Sequence, residues 1–223
     1  MIVVIGAPIG RIGDGVVKAA GMAARIALAA AGAGRTVQLV GKTGDDPTAD
    51  GVVLDLSRGG VGHVALLRDP SRSTPLEMAS PLAAPDDDAG FPDDAGAPIA
   101  TPDAGPMEGP ALEAGDVDLG LRYLTEFAVV VLAEPVTPEI VAVVAEAARW
   151  SEARMVLVVR AGEAVLGALP DDVVVFEAPD LDPDGSFASV VGTFAAALDA
   201  GTDPREAFQA SIASDGWTGT EPG

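Results

Sequence analysis

The chain has no cysteine, no asparagine, a single histidine (His63) and only two lysines, Lys18 and Lys42. Without cysteine there are no disulfides, no thiolate zinc sites and no thiol catalysis, and one histidine does not supply a multi-histidine metal centre. Any metal would have to be held by oxygen. Basic residues are scarce altogether, 13 against 34 acids in 223 residues, for a formal charge of −21 and a pI near 4.1. That leaves no basic stripe to neutralise phosphates, which argues against a nucleic-acid partner, and an anionic membrane surface is disfavoured for the same reason. No apolar stretch reaches the ~18–20 residues needed to cross a bilayer. The strand-like run Ile2 to Ile5 follows Met1 directly, without the basic region and cleavage site of a secretory leader. A soluble, cytoplasmic protein is expected, binding neither nucleic acid nor membrane, with its oligomeric state left open.

What is present points to a packed domain. Hydrophobic residues make up 48% of the chain, mean hydropathy is +0.33, and the length suits one domain or two small ones at ~100–200 residues each. Ile2 to Ile5 reads as a strand buried on both faces, followed by the glycine-rich segment Gly6, Gly10, Gly13 and Gly15. An alanine-rich helix is expected over residues 22–31, stopped by Gly32 and Gly34. Residues 36–40 form the next strand. Asp46 as N-cap and Pro47 at the first helical position open a helix that ends at Gly59 and Gly60. Short strands are expected at 63–67 and 76–78.

Later in the chain, strands are expected at 127–132, 155–159, 164–169 and 172–176. A helix starting at Thr137 and Pro138 carries an apolar stripe of Ile140, Val143, Val144 and Ala147 that ends near Trp150. Gly185 begins a helix running to Ala200, and Asp203, Pro204 and Glu206 open a last one. Alternating strands and helices predict a three-layer α/β/α sandwich with a mainly parallel sheet.

Residues 81–118 break this pattern, with ten acids, seven prolines and no lysine or arginine. Such a stretch buries too little apolar surface to offset the entropy of ordering, so a flexible insertion is expected there. A calcium loop is not, because the acids lack the alternate-residue spacing that ends in a glutamate. The organisation expected is one domain over 1–214, the insertion at 81–118 within it, and a tail over 215–223 that holds Trp217. His63 reads as a structural histidine.

Two short motifs fail on inspection. A dinucleotide fingerprint would need a glycine where Pro8 stands. Gly41-Lys42-Thr43 is not a P-loop, because Thr36 occupies the position of the first glycine and the segment runs on into TGDD rather than a helix.

Two longer blocks are more informative. The segment AAGMAARIALAAAGAGRTVQLVGKTGDD, residues 19–46, and the segment DPDGSFASVVGTFAAALDAG, residues 182–201, resemble the ribokinase-like (PfkB) carbohydrate kinase family. The first is similar to that family's glycine-glycine-x-x-alanine-asparagine helix, strand and G-x-x-G-x-D turn. The second is similar to its D-T-T-G-A-G-D-A-F segment and following helix. The resemblance implies a ribokinase-like fold and, where activity is kept, phosphoryl transfer from ATP with magnesium to a hydroxymethyl group of a sugar or nucleoside.

The chemistry of the second block is plain: a glycine-rich turn at a helix start presents N–H groups to a phosphate, and an aspartate beside it takes the hydroxyl proton. The resemblance places Asp182 at the first aspartate, Gly185 at the first glycine, Ser186 at the alanine, Phe187 at the second glycine and Ala188 at the catalytic aspartate. The proton acceptor has become a methyl group. Arg25 stands for the asparagine and Ala20-Gly21 for the glycine pair. Arg11 stands for the sugar-binding aspartate, with Asp14 three residues on as a substitute. The family's asparagine-x-x-glutamate segment cannot exist without asparagine. Too few residues separate the first strand from Gly21 for the usual lid, which is expected to be reduced or absent.

Loss of a general base costs ~10²–10⁴ in rate, and loss of the anion hole ~10²–10³ more. The reading that follows is a catalytically degenerate kinase homologue that binds a ligand or regulates. Its phosphate-binding candidates are Gly185 and Ser186, its sugar-binding candidates Asp14 and Gly21, and it has no assigned catalytic or metal residue. The alternatives are an active, divergent sugar or nucleoside kinase with Asp182 or Asp184 as a displaced base, and an interaction module that uses the acidic insertion. In the first reading those two aspartates are turn and cap residues.

Overall fold

All four residues of the first strand, Ile2–Ile5 (β1), are fully buried, because β1 lies inside a six-stranded sheet with helices on both sides. The computed structural model describes residues 1–78, 109–124, 126–133, 137–163 and 169–215. The hairpin strands β2 (Ile9–Gly13) and β3 (Val16–Ala20) come next, then helix α1 (Met22–Gly32), β4 (Val37–Gly44), α2 (Pro47–Arg58), β5 (Val61–Asp69) and β6 (Leu76–Met78). After them follow α3 (Ala114–Arg122), β7 (Val129–Leu132), α4 (Pro138–Trp150), β8 (Arg154–Arg160), β9 (Val174–Ala178), α5 (Ser186–Asp199) and α6 (Pro204–Asp215). The large sheet has the order β5-β4-β1-β7-β8-β9, and every pairing in it is parallel.

Alternation along β1 divides the core. Ile2 and Val4 join residues of α1, α2 and α5, whereas Val3 and Ile5 join residues of α3 and α4. The result is the three-layer α/β/α sandwich read from the sequence. No described helix is long and apolar enough to cross a membrane.

Helices α1 and α5 lie in unusually close contact. A Cβ on Gly192 would sit 2.6 Å from Ala29 Cβ and 2.7 Å from the Ile26 carbonyl oxygen, so only glycine fits at this crossing. At the far end, the buried Asp199 carboxylate accepts from Arg35 Nε at 2.7 Å and from the Met1 amino group at 2.7 Å, tying the ends of both helices to the start of β1.

Three expectations are sharpened or corrected. The residues between β1 and Gly21 do make a lid-like element: β2 and β3 form a hairpin, and β6 adds to it in parallel, giving a separate sheet of order β3-β2-β6. Of the two forms expected, the lid is therefore the reduced one, and β6 belongs to it. The turn is Asp14-Gly15 with φ of 52° and 73°, the paired left-handed conformation that Asp-Gly favours in tight hairpins.

The second correction concerns the acidic insertion. Residues 114–118 are the first turns of α3, whose start is fixed by the Glu113 N–H donating to Asp116 Oδ2 at 2.9 Å. Val117, Gly120 and Leu121 face the core, and Lys42 Nζ lies 2.5 Å from Asp116 Oδ2. Composition averaged over 81–118 conceals this short amphipathic end. Where the chain re-enters the described structure, Gly109 packs so tightly on Pro75 that a Cβ would lie 2.6 Å from its Cγ. Residues 81–108, residues 164–168 of the strand expected at 164–169, and the tail from 216 onward, including Trp217, lie outside the described residues; Leu169 is described and is not in a strand.

Thirdly, Trp150 does not close an apolar stripe. It is 83% exposed, because α4 turns this position away from the sheet.

Candidate functional site

The two blocks that the sequence singled out meet at the carboxyl ends of the strands. Gly21, with φ of 83°, joins β3 to α1, and a Cβ there would lie 3.3 Å from Ile9 Cγ1 and 3.5 Å from the Ala7 carbonyl oxygen. One helical turn later, the Arg25 guanidinium donates to the Asp182 carbonyl oxygen and lies 4.0 Å from Asp182 Oδ2. Gly185 follows in the left-handed conformation, φ 78° and ψ 16°, as the N-cap of α5. Such a cap is natural to glycine, which carries no Cβ to clash.

The backbone donors at the start of α5 are all engaged within the chain. The Gly185 N–H donates to the Asp182 carbonyl at 3.3 Å, and the Ser186 N–H donates to Asp184 Oδ1 at 3.2 Å. The Phe187 and Ala188 N–H groups donate to the two oxygens of the Asp182 carboxylate, at 3.0 and 3.1 Å. A helix start of this kind ordinarily leaves donors open to an anion. Here a carboxylate of the same chain takes the place that a phosphate would need. The Asp182 side chain is 8% exposed and that of Arg25 20%. Asp184 is exposed, and hydrogen bonds from the Ser186 N–H and hydroxyl hold its carboxyl below the ordinary aspartate value.

Phe187 and Ala188 face inward, 4% and 0% exposed. The Phe187 ring meets Phe176 edge-on at 6.4 Å, and Phe176 also meets Phe194 at 5.1 Å. The bulky residue at the glycine position is thus a core residue, part of an aromatic cluster that joins α5 to β9. As the chain is arranged, these residues do not fit a nucleotide phosphate: the donors are taken, and two carboxylates border the turn.

Gly21, Arg25, Asp182, Gly185 and Ser186 are brought together, whereas Asp14 sits exposed at the tip of the β2–β3 hairpin. It lies seven residues from Gly21, roughly 20 Å along an extended strand. Arg11 pairs across the hairpin with Lys18. His63 lies on β5 near the Ser57 hydroxyl, with Nδ1 3.3 Å from Oγ. Among the described residues, no cluster of carboxylates or imidazoles has metal-binding geometry.

The G-x-x-G-x-D turn has a structural role. Gly41, Lys42 and Thr43 run extended within β4, in register with Leu66, Leu67 and Arg68, which is incompatible with a P-loop. Asp46 Oδ1 caps α2 through the Ala49 N–H at 2.8 Å, and Asp46 Oδ2 accepts from the Thr74 N–H at 2.7 Å, clamping the segment that leads to β6. A Cβ on Gly44 would lie 2.7 Å from Thr74 N, so glycine is needed at this approach.

Burial works to raise the Asp46 carboxyl, but the hydrogen bonds from Ala49 and Thr74 outweigh it and hold the group below its ordinary value. A carboxyl depressed on folding contributes stability that is fully present above its unfolded value, near pH ~4, and is lost as pH falls through the folded value. Asp46→Ala is expected to cost about 1–2 kcal/mol at pH 7. The gap from wild type should narrow below pH ~4 in urea unfolding; a pH-independent gap would count against an ionised clamp.

Sequence reasoning missed two partnerships. Arg25 was legible only as a departure from a motif, and its pairing with Asp182 joins residues 157 positions apart. The Lys42–Asp116 bridge involves one of only two lysines, and its acid lies in a segment read as flexible.

No protein-family model matches this chain, and no curated protein matches it either. Solved structures do match. Ribokinase of Arabidopsis thaliana complexed with ribose and ATP is 14% identical, with a TM-score of 0.62 over 98% of this chain and 93% of that one. Phosphofructokinase-2 of Escherichia coli, in a tetrameric inhibited form, is 14% identical with a TM-score of 0.61 over 96% and 92%. A putative ribokinase II of E. coli in complex with ATP and Mg²⁺ is 12% identical with a TM-score of 0.59 over 100% and 93%. The likeness extends over nearly the whole of each chain; the fold of this protein is that of the ribokinase-like carbohydrate kinases.

Proposed function

We propose that this chain is a non-catalytic descendant of a carbohydrate kinase that binds a small sugar-like or nucleoside-like ligand, or regulates through one, at the carboxyl ends of its strands. Ligands of open α/β sheets bind in that crevice, and the small sheet beside it supplies a wall. The observation that carries the reading is the Asp182 carboxylate seated on the Phe187 and Ala188 N–H groups, with Arg25 against it. A transferring phosphate would have to displace a charge-paired carboxylate, and the family resemblance puts Ala188, a buried methyl group, where the proton acceptor is expected.

The competing reading, an active divergent kinase, asks Asp182 or Asp184 to act as the base. Asp182 would first have to release both N–H groups. Asp184 is held in its anionic form below the ordinary value, which makes it a weak proton acceptor. ATP and magnesium are required only under this reading.

Thermal unfolding of the purified protein with sugars, nucleosides, ATP and ADP, with and without magnesium, separates the two. A shift with a sugar or nucleoside alone, without ATP hydrolysis or phosphorylated product, is the expected result. Joint stabilisation by sugar and MgATP with measurable turnover would overturn the proposal. No shift with any ligand would favour recognition of a partner through the acidic segment.

A further inference from the structure

On the opposite side of the sheet from α1 and α5, helices α3 and α4 enclose a groove of about 440 Å³. Its apolar wall is Leu121, Leu124, Phe127, Val143 and Ala147, and Trp150 stands at its edge. Trp150 is 83% exposed, and nearby on α3 Leu119 and Tyr123 are 45% and 71% exposed. A second depression of about 470 Å³, lined by Glu146, Arg149 and Glu152, opens at the same tryptophan. A large aromatic side chain left in water beside an apolar groove is the arrangement found at the energetic centre of protein interfaces.

We propose that this face binds a second copy of the same chain, each protomer placing its Trp150 in the groove of the other. Two observations select that occupant. The projecting side chain and the groove that would receive it lie side by side on one surface, which is what a two-fold, isologous contact requires. The charge lining the face is also nearly balanced, with Asp118, Glu146 and Glu152 against Arg122 and Arg149, in a chain with 34 acids and 13 bases. Here two strongly acidic molecules meet without the repulsion that the rest of their surface imposes, and Arg149 of one copy has acids of the other within reach. Asp118 and Arg122 are already paired at 2.6 Å and form a neutral rim. The inference is independent of the ligand proposal, since the groove lies away from the α5 turn.

Light scattering coupled to size exclusion reports mass regardless of shape. Over a rising concentration series the wild type should approach twice the 22.3 kDa of the chain. Trp150→Ala should weaken association by about 30-fold or more, the loss expected for a central aromatic contact. Ala147→Glu, which charges the groove without touching the tryptophan, should do the same. Circular dichroism melting at low concentration should leave Trp150→Ala as stable as the wild-type monomer, because that position faces solvent; Ala147 is half-buried against the core, so the association of Ala147→Glu is compared at temperatures below the melt of its own monomer. A wild type that stays at the single-chain mass at the highest concentration overturns the proposal. So does a Trp150→Ala protein that associates as wild type does.

Discussion

Ala188→Asp, the substitution that puts a carboxylate where the family resemblance expects the kinase base, should destabilise the protein by about 3–5 kcal/mol and confer no phosphoryl transfer. Ala188 is 0% exposed in the core that α5 shares with α1, and its N–H already holds Asp182 Oδ2. A new carboxylate would be buried without a cation of its own, next to an existing one whose Arg25 is already engaged. Urea unfolding measures the loss, and a coupled ADP-release assay measures the gain. A variant as stable as wild type that phosphorylates a sugar would show that the α5 turn had kept its catalytic geometry, and would sink the non-catalytic reading with it.

Asp182→Ala should have the second largest effect, and one of a different kind. It removes the acceptor of two first-turn N–H groups, a cap loss of about 1–2 kcal/mol, and leaves the Arg25 guanidinium without its carboxylate. The freed donors and the cation then form what wild type lacks, an open anion site at a helix start. Inorganic phosphate at about 100 times its dissociation constant would return ~2.7 kcal/mol to the variant, while wild type at matched ionic strength should not respond. Equal responses in the two proteins would mean that Asp182 does not block the turn.

Taken together, these variants ask whether the turn is merely capped or has been rebuilt. Capping is reversible by one substitution. Rebuilding is not, because Phe187 is also committed to the aromatic cluster around Phe176.

Much of the fold was legible because its determinants are local. Ile2 to Ile5 is apolar throughout, as a strand buried on both faces must be, and Asp46-Pro47 and Asp203-Pro204 mark helix starts by capping chemistry alone. The small sheet was missed although Asp14-Gly15 is a strong hairpin signal, because Gly10, Gly13, Arg11 and Lys18 interrupt the apolar runs on either side of the turn. Helix α3 was missed because acids dominate its neighbourhood and its apolar face has only three buried positions. At the candidate site, the departures from the family pattern were visible residue by residue. Their mutual arrangement was not, since that Arg25 reaches Asp182 depends on how closely α1 and α5 approach, which Gly192 decides from the middle of α5.

The contact of Gly109 with Pro75 has a bearing on the history of the chain. Met78 ends β6, and Gly109 lies beside the residue that precedes β6, so the described residues on either side of the stretch lie within about 10 Å, three residues of strand. A closed detour of this kind adds to the chain without stretching anything it is attached to. Doubling its length costs only ~0.6 kcal/mol of closure entropy. The acidic stretch can therefore lengthen or shorten while both sheets stay in register, and the other residues, which carry about half of the chain's formal charge of −21, need not change in response.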